Sequence, residues 1–316
     1  MVTISDVARY AHVSNMTVSR VLNHPEQVSD DLKQRVLEAI KQLNYTPNRI
    51  GQALTKQQQL TMQFLILENI EKVDPYYAKL LLYLADYLQK KNYTLEIKHQ
   101  LDPNLINQVD GGFINGARIE DIPKLLKLNF PLVSYGNISN QISSIDVDNF
   151  QGTYKMTKYL AKCNYENLIY LGLNLPEKFA IEREKGYLAA IKELNQKPII
   201  YRLNNTQQAC ATLIQNITLP SNTALIAATD RLAIGALQQL ELCGVDIPNE
   251  IGITGFDGVF MHQVTLKTLT TVIQPLDLVA KEMVDLLLEV ITHKKVISRT
   301  ISPKIGVGQT TRSCKQ

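Results

Sequence analysis

The chain of 316 residues has few cysteines, no long apolar run and little net charge, and each shortage closes off a class of function. Its four cysteines, Cys163, Cys210, Cys243 and Cys314, are scattered, with no CxxC and no paired Cys/His spacing. That pattern reads as reduced, mostly buried thiols rather than a zinc site or a structural disulfide. No run of about 18 apolar residues occurs, so no membrane span is expected. Asp6, Arg9, His12 and Arg20 interrupt the N-terminal stretch, so it lacks the apolar core of a signal peptide, and a cytoplasmic protein is expected. The formal net charge is only +3, with seven Lys/Arg and five Asp/Glu in residues 1–60. A module of that balance would hold phosphates through a few placed contacts, not through a strong general field. No nucleophile–base constellation, phosphate loop or metal-ligand spacing is present, so neither catalysis nor a cofactor or metal is expected.

What is present is ordinary soluble-protein composition, 45% hydrophobic and 20% charged, in a chain long enough for two or three domains. The first 23 residues are the most informative. Ser5 is positioned to cap a helix running to about Ala11, with Asp6 at its positive end. His12-Val13-Ser14 forms a turn, and Ser14 caps a second helix from Asn15 to about Asn23. There Val18, Val21 and Leu22 give an apolar stripe, while Asn15, Met16, Ser19, Arg20 and Asn23 lie on the other side. Ser29 caps a third helix with Asp30 and Asp31 in its first turn and Leu32, Val36, Ile40 and Leu43 as its stripe. Capped amphipathic helices of this size also occur in any small three-helix bundle. A polar second helix after a tight turn is nevertheless the form of a helix-turn-helix that enters a DNA major groove.

The residues themselves carry a resemblance. DVAxxAxVSxxTVSRVLN over Asp6–Asn23, followed by Asn44-Tyr45-Thr46-Pro47-Asn48, resembles the N-terminal signature of the LacI/GalR family of bacterial repressors. The resemblance implies that Asn15 and Met16 read variable operator bases and that Arg20 reads bases deeper in the half-site. It implies that Thr17, Ser19 and Asn23, with Ser5, hold phosphates or orient the helix. The chemistry agrees: Asn pairs with adenine, Arg with guanine, and Met offers an apolar surface to a thymine methyl. The family often has Gly where His12 stands, a position of left-handed backbone that strains a residue with a Cβ.

Residues 47–58 are too short and polar to form a stable helix alone. They read either as a solvated linker or, by the resemblance, as a hinge helix that orders on DNA. In the second case Asn48 and Arg49 touch the duplex and Leu54 wedges into the minor groove. Gly51 weakens such a helix by roughly 1 kcal/mol relative to Ala.

From about Leu60 onwards, short β-rich runs alternate with longer amphipathic ones. Strands read at 64–67, 94–97, 112–114, 131–134, 168–171, 199–202, 224–227 and 252–254, and helices at 75–91, 152–161, 182–193 and 231–243. This alternation predicts parallel sheets with helices on both faces, in two lobes with a cleft near the strand ends. The resemblance extends over this part through Asp74-Pro75-Tyr76-Tyr77, Val109-Asp110-Gly111, Asp148-Asn149, Arg183 with Gly186, Asp230–Gly235, Gly255-Phe256-Asp257 and Leu269–Val272 with Gln274. The expected fold is therefore multidomain: an all-α helix-turn-helix headpiece (1–46), a hinge (47–58), and an α/β periplasmic-binding-protein-like core of two doubly wound parallel-sheet lobes (59–316). The N-lobe is expected to span about 60–146 and 276–302, and the C-lobe about 147–274 and 303–312.

Arg183 and Asp257 match positions that hold ligand hydroxyls in the family, a task suited to charge-assisted hydrogen bonds. Either could equally be a surface charge. Tyr76 reads as an aromatic wall or a core aromatic. Asn137 and Thr229 are weaker effector-binding candidates, as are Asp148 and Asp230, which could simply cap helices. Three departures stand out: Gly258 follows Asp257 where the family often has a second Asp, the segment between Ile97 and Val109 is short, and no stacking aromatic appears near Leu203–Thr206. The short segment resembles the subgroup that controls galactose and β-galactoside operons. No leucine heptad follows the core, so a homodimer is expected rather than a coil-linked tetramer. The expectation is a repressor of a carbohydrate-utilisation operon that binds a pseudo-palindromic duplex and answers to a sugar such as galactose or a β-galactoside. Two alternatives stay open: corepression by a purine or a partner protein, and a sugar-binding protein or enzyme with no regulatory role.

Overall fold

The computed structural model describes residues 2–23, 25–43, 45, 60–68, 75–99, 101, 109–259 and 267–314. They belong to two compact units, residues 1–59 and 60–316. The expected hinge and the shortened stretch at 102–108 lie outside the described residues.

The first unit has three helices, α1 (Ile4–Tyr10), α2 (Asn15–Asn23) and α3 (Asp30–Gln42). Val7, Ala8, Ala11, Val18, Val21, Val36, Ala39 and Tyr45 form its buried core. Thr3, not Ser5, caps α1. Its hydroxyl accepts the Asp6 N–H at 3.3 Å, and the Asp6 carboxylate accepts the Thr3 N–H at 2.9 Å, a reciprocal capping box. Ser5 then falls inside the helix, where its hydroxyl accepts Nδ2 of Asn15 at 3.1 Å. Ser14 does cap α2, accepting the Thr17 N–H at 3.1 Å. Between the two helices His12 takes φ +54°, the left-handed region expected for this turn. Ser29 has the extended backbone of a cap before α3, but its hydroxyl makes no capping bond.

The second unit opens with β1 (Thr61–Ile66), α4 (Pro75–Lys90), β2 (Thr94–Lys98), β3 (Gly111–Asn115), α5 (Ile122–Leu125), β4 (Leu132–Tyr135) and β5 (Ser143–Val147). It continues through α6 (Asn149–Lys162), β6 (Asn167–Leu173), α7 (Lys178–Glu193), β7 (Ile199–Leu203), α8 (Gln207–Asn216), β8 (Thr223–Ala227) and α9 (Asp230–Leu242). The last elements are β9 (Ile251–Asp257), β10 (Thr270–Ile273), α10 (Leu276–His293), β11 (Ser298–Ile301) and β12 (Lys304–Gly306).

Two six-stranded sheets result, ordered β11-β5-β4-β3-β1-β2 and β12-β10-β9-β8-β6-β7. All pairings are parallel except β10 with β12. Parallel strands need both faces covered, which is why β1, β3, β4, β6, β8 and β9 are almost wholly buried. Helices α4 and α10 pack on the first sheet, and α6, α7 and α9 on the second, with α8 packed against α9. The chain passes between the sheets three times, at 147–149, 273–276 and 301–304. These crossings bring the carboxyl ends of both sheets together, where ligands bind in folds of this kind.

One expectation is overturned. Cys163, the C-cap of α6, and Cys314 are joined in a disulfide, so those two thiols are not free. The tail is drawn there by polar contacts a sequence reading does not anticipate. Thr310 Oγ1 donates to the Ile253 carbonyl at 2.7 Å, and Arg312 Nη1 donates to Oδ1 of Asn222 at 2.7 Å. Cys210 is buried and Cys243 exposed, both as free thiols.

Candidate functional site

On α2 the structure separates an inner and an outer face. Val18 and Val21 are buried; Asn15, Met16 and Arg20 are exposed, Met16 with two thirds of its surface free. Thr17 and Ser19 are half-buried, with the Thr17 hydroxyl 2.9 Å from that of Ser14. Asn23 ends the helix. Five polar or adaptable side chains at helical spacing thus stand on or beside one exposed face of a capped helix, anchored to α1 through the Asn15–Ser5 bond. The groups needed for base-edge and phosphate contact are present on it. Asn48, Arg49 and Leu54 lie outside the described residues.

In the second unit Arg183 and Asp257 meet, from α7 and the end of β9. Arg183 is only 4% exposed. Its Nε donates to Oδ1 of Asn149 at 2.9 Å, its Nη1 to the Ala228 carbonyl at 2.6 Å, and Nη1 lies 3.4 Å from Oδ1 of Asp257. The guanidinium sits 3.6 Å from the Phe256 ring centroid and 5.1 Å from that of Phe179. An ion held between two aromatic faces and three acceptors is fixed in place.

Asp257 has φ +129°, rare for a residue with a Cβ, and its carboxylate accepts Nε2 of Gln274 at 2.7 Å. The following Gly258 is required by its surroundings. It has φ +75°, and a Cβ there would lie 2.9 Å from Cα of Ile273. The departure from Asp-Asp thus has a steric reason. Asp230, fully buried at the start of α9, supports the same turn. Its Oδ2 accepts the Val259 N–H at 3.0 Å and its Oδ1 accepts the Thr271 hydroxyl at 2.5 Å. Thr229, rather than Asp230, caps α9, and its hydroxyl also donates to Oδ1 of Asn205 at 2.8 Å.

The other lobe contributes Tyr76 and Tyr135, whose rings stack at 6.2 Å and 14°. The Tyr135 hydroxyl donates to Oε1 of Gln274, so Gln274 links the stacked tyrosines to Asp257 across the crossing at 273–276. Burial raises both phenols well above the usual tyrosine range. Asp146, at β5, accepts the Asn137 N–H at 3.1 Å and Nδ2 of Asn149 at 3.1 Å, and burial raises its carboxyl above the usual range. Asp148 caps α6 through the Gln151 N–H at 2.9 Å.

Tyr135, Gln274, Asp146 and Asn149 were not among the residues singled out from sequence. Only the Asp148-Asn149 and Gln274 landmarks pointed near them. Asn115, at the end of β3, also went unread; its Nδ2 is buried with no partner among the described residues. A cavity of about 270 Å³ opens beside this cluster, lined by Asn137, Asp146, Asn149 and Phe179 among others.

The comparisons with known proteins agree with this geometry. Residues 3–48 match the model of bacterial regulatory proteins, lacI family, and residues 157–311 that of a periplasmic binding protein-like domain. An uncharacterized HTH-type transcriptional regulator, YvdE of Bacillus subtilis (strain 168), is 36% identical over 278 residues, covering 87% of this chain and 88% of that one. The chain belongs to the lacI family. Another member, the HTH-type transcriptional repressor PurR of Haemophilus influenzae, is 28% identical over 93% of this chain and 92% of that protein. The solved complex of the transcriptional regulator CelR with cellobiose superposes with a TM-score of 0.71 at 24% identity, covering 98% of this chain and 100% of that one. That likeness speaks for the fold. As a lacI-family protein the chain is a DNA-binding transcription regulator and not an enzyme, and its two-lobed unit is the family's effector domain. No helix among the described residues is long and apolar enough to cross a membrane.

Proposed function

We propose that this regulator represses a carbohydrate-utilisation operon and that a neutral sugar, bound between the two sheets of its second unit, sets its affinity for DNA. The observation that carries the reading is the pair of buried Arg183 and half-buried Asp257, joined through Gln274 to the stacked Tyr76–Tyr135. A fixed guanidinium and a carboxylate suit vicinal hydroxyls, and aromatic rings suit the apolar face of a sugar. Tyr76, Asn137, Arg183, Thr229 and Asp257 are the effector residues of this proposal, and galactose and β-galactosides are among the sugars to test first.

The duplex is read by Asn15, Met16, Thr17, Ser19, Arg20 and Asn23, with Ser5 steadying the helix. Asn48, Arg49 and Leu54 of the hinge follow the same proposal. Two copies of the chain bind the two halves of a pseudo-palindrome, which fixes half-site spacing. Exposed Leu82 on α4 and Leu278 on α10 lie on helices packed together and would serve such a pairing. The protein acts in the bacterial cytoplasm, where operator DNA is found. The sugar acts by binding one lobe arrangement more tightly than another, since equal affinity would shift nothing.

A thermal-shift screen of sugars and nucleobases tests the proposal. A bound sugar raises the apparent melting temperature, and Asp257→Ala abolishes the rise. The PurR relative favours a second reading, in which a purine lies between the tyrosines. A shift with nucleobases and none with sugars would select it.

A further inference from the structure

The cavity of about 270 Å³ is lined by neither Tyr76 nor Tyr135. It lies beside the β5–α6 crossing and the edge strand β11, and it shares two walls with the Arg183 cluster. Asn149 lines the cavity and accepts Nε of Arg183, and Phe179 lines it and faces the guanidinium. The volume is far above the roughly 30 Å³ share of one water. It sits just below the range of about 300–1,000 Å³ typical of whole ligand pockets.

The lining favours a neutral ligand over an anion. Its lining holds three acidic residues, Asp146, Asp148 and Glu182, against the two cations Lys178 and Arg299. Arg299 is already bracketed by Glu282 at 3.1 Å and Glu289 at 2.5 Å. A phosphate or carboxylate would meet excess negative charge here. A neutral, hydroxyl-rich ring meets carboxylate acceptors, amide and ammonium donors, and the rings of Phe150 and Phe179. Phe179 also supplies an aromatic wall that could not be placed near Leu203–Thr206.

We infer that this cavity is a second glycosyl subsite, so that the effector is a neutral oligosaccharide of at least two units, one held by Arg183 and Asp257 and the next seated between Phe150, Phe179 and Asp146. This rests on the proposal that the effector is a sugar. The second sugar ring lies against Asn149, the first residue of α6 and part of the crossing at 147–149, and so binds where the two lobes join.

The test is isothermal titration calorimetry on the full chain with glucose, galactose, maltose, cellobiose and lactose. The best disaccharide binds at least tenfold more tightly than either of its monosaccharides. Thr300→Trp fills the cavity from an exposed rim position and removes that advantage, leaving monosaccharide affinity within twofold. Glu182→Ala, at a half-buried position on α7, lowers disaccharide affinity at least threefold with the same selectivity and covers the case that the Trp variant misfolds. Equal binding of mono- and disaccharides, or equal losses for both in these variants, overturns the second subsite and leaves the sugar reading standing. If no neutral saccharide binds, the sugar reading itself fails and the subsite with it.

Discussion

Asn149 accepts Nε of Arg183 at 2.9 Å while its own Nδ2 donates to Oδ1 of Asp146 at 3.1 Å. This one amide therefore ties the buried arginine of α7 to the end of β5, where the chain leaves the first sheet. The Arg183 guanidinium and the crossing at 147–149 thus share one hydrogen-bonded link.

Replacing Arg183 removes that tie. Arg183→Met leaves the Asn149 amide oxygen and the Ala228 carbonyl without their donor, a loss of about 2–4 kcal/mol for one or two buried groups left unpaired. Urea unfolding gives a lower midpoint with an unchanged slope. Arg183→Lys keeps the charge but not the fork, so it recovers part of the stability and little of the sugar response.

Gly258→Ala forces a Cβ against Cα of Ile273 at φ +75°. The expected cost is about 1–3 kcal/mol, the scale of backbone strain at such positions. Because Asp257 adjoins it, sugar affinity measured by calorimetry falls as well. A variant with wild-type stability and affinity would show that the turn is not held as described.

His12→Gly relieves the left-handed turn. The gain is about 0.5–1 kcal/mol, since relief of roughly 1–2 kcal/mol is offset in part by the freer unfolded chain. Hydrogen exchange of α1 and α2 amides in the full chain slows about two- to fivefold.

Cysteine chemistry gives a separate check. Non-reducing peptide mapping finds Cys163 joined to Cys314, closing a loop with a sequence separation of 151. Reduction lowers the melting temperature, because the open chain gains unfolded-state freedom. In the folded protein an alkylating agent labels exposed Cys243 quickly. It spares Cys210, whose thiol burial pushes up to about 12.

Which parts were legible follows from what a sequence pattern encodes. The α2 period, the Ser14 cap and the runs of β1, β6 and β9 show in sequence because apolar spacing mirrors burial. β5 did not, because Ser143 and Ser144 read as loop residues. Both are buried, and their hydroxyls bond the Ile297 N–H and the Ser298 hydroxyl, partners more than 150 residues away. α8 does not stand out in the sequence because only Cys210 and Ile214 of its ten residues are buried, too few to mark a helical stripe. Ser5 reads as the cap because Ser precedes the apolar run, whereas the capping residue, Thr3, stands two residues earlier. At the site, Arg183 and Asp257 had chemistry visible in isolation. Tyr135, Asn149 and Asp146 gain meaning only through contacts made in the folded chain.

The central claim is that one molecule couples duplex reading to sugar binding. Fluorescence anisotropy of a labelled pseudo-palindrome from upstream of the protein's own operon, titrated with the full chain with and without the best sugar, measures that coupling directly. The account predicts that the intact palindrome is bound far more tightly than a scrambled duplex, that Arg20→Ala erases the difference, and that saturating sugar changes the affinity about 5–150-fold, the usual range for such coupling. Equal binding to both duplexes, or an affinity that no sugar alters, would contradict it.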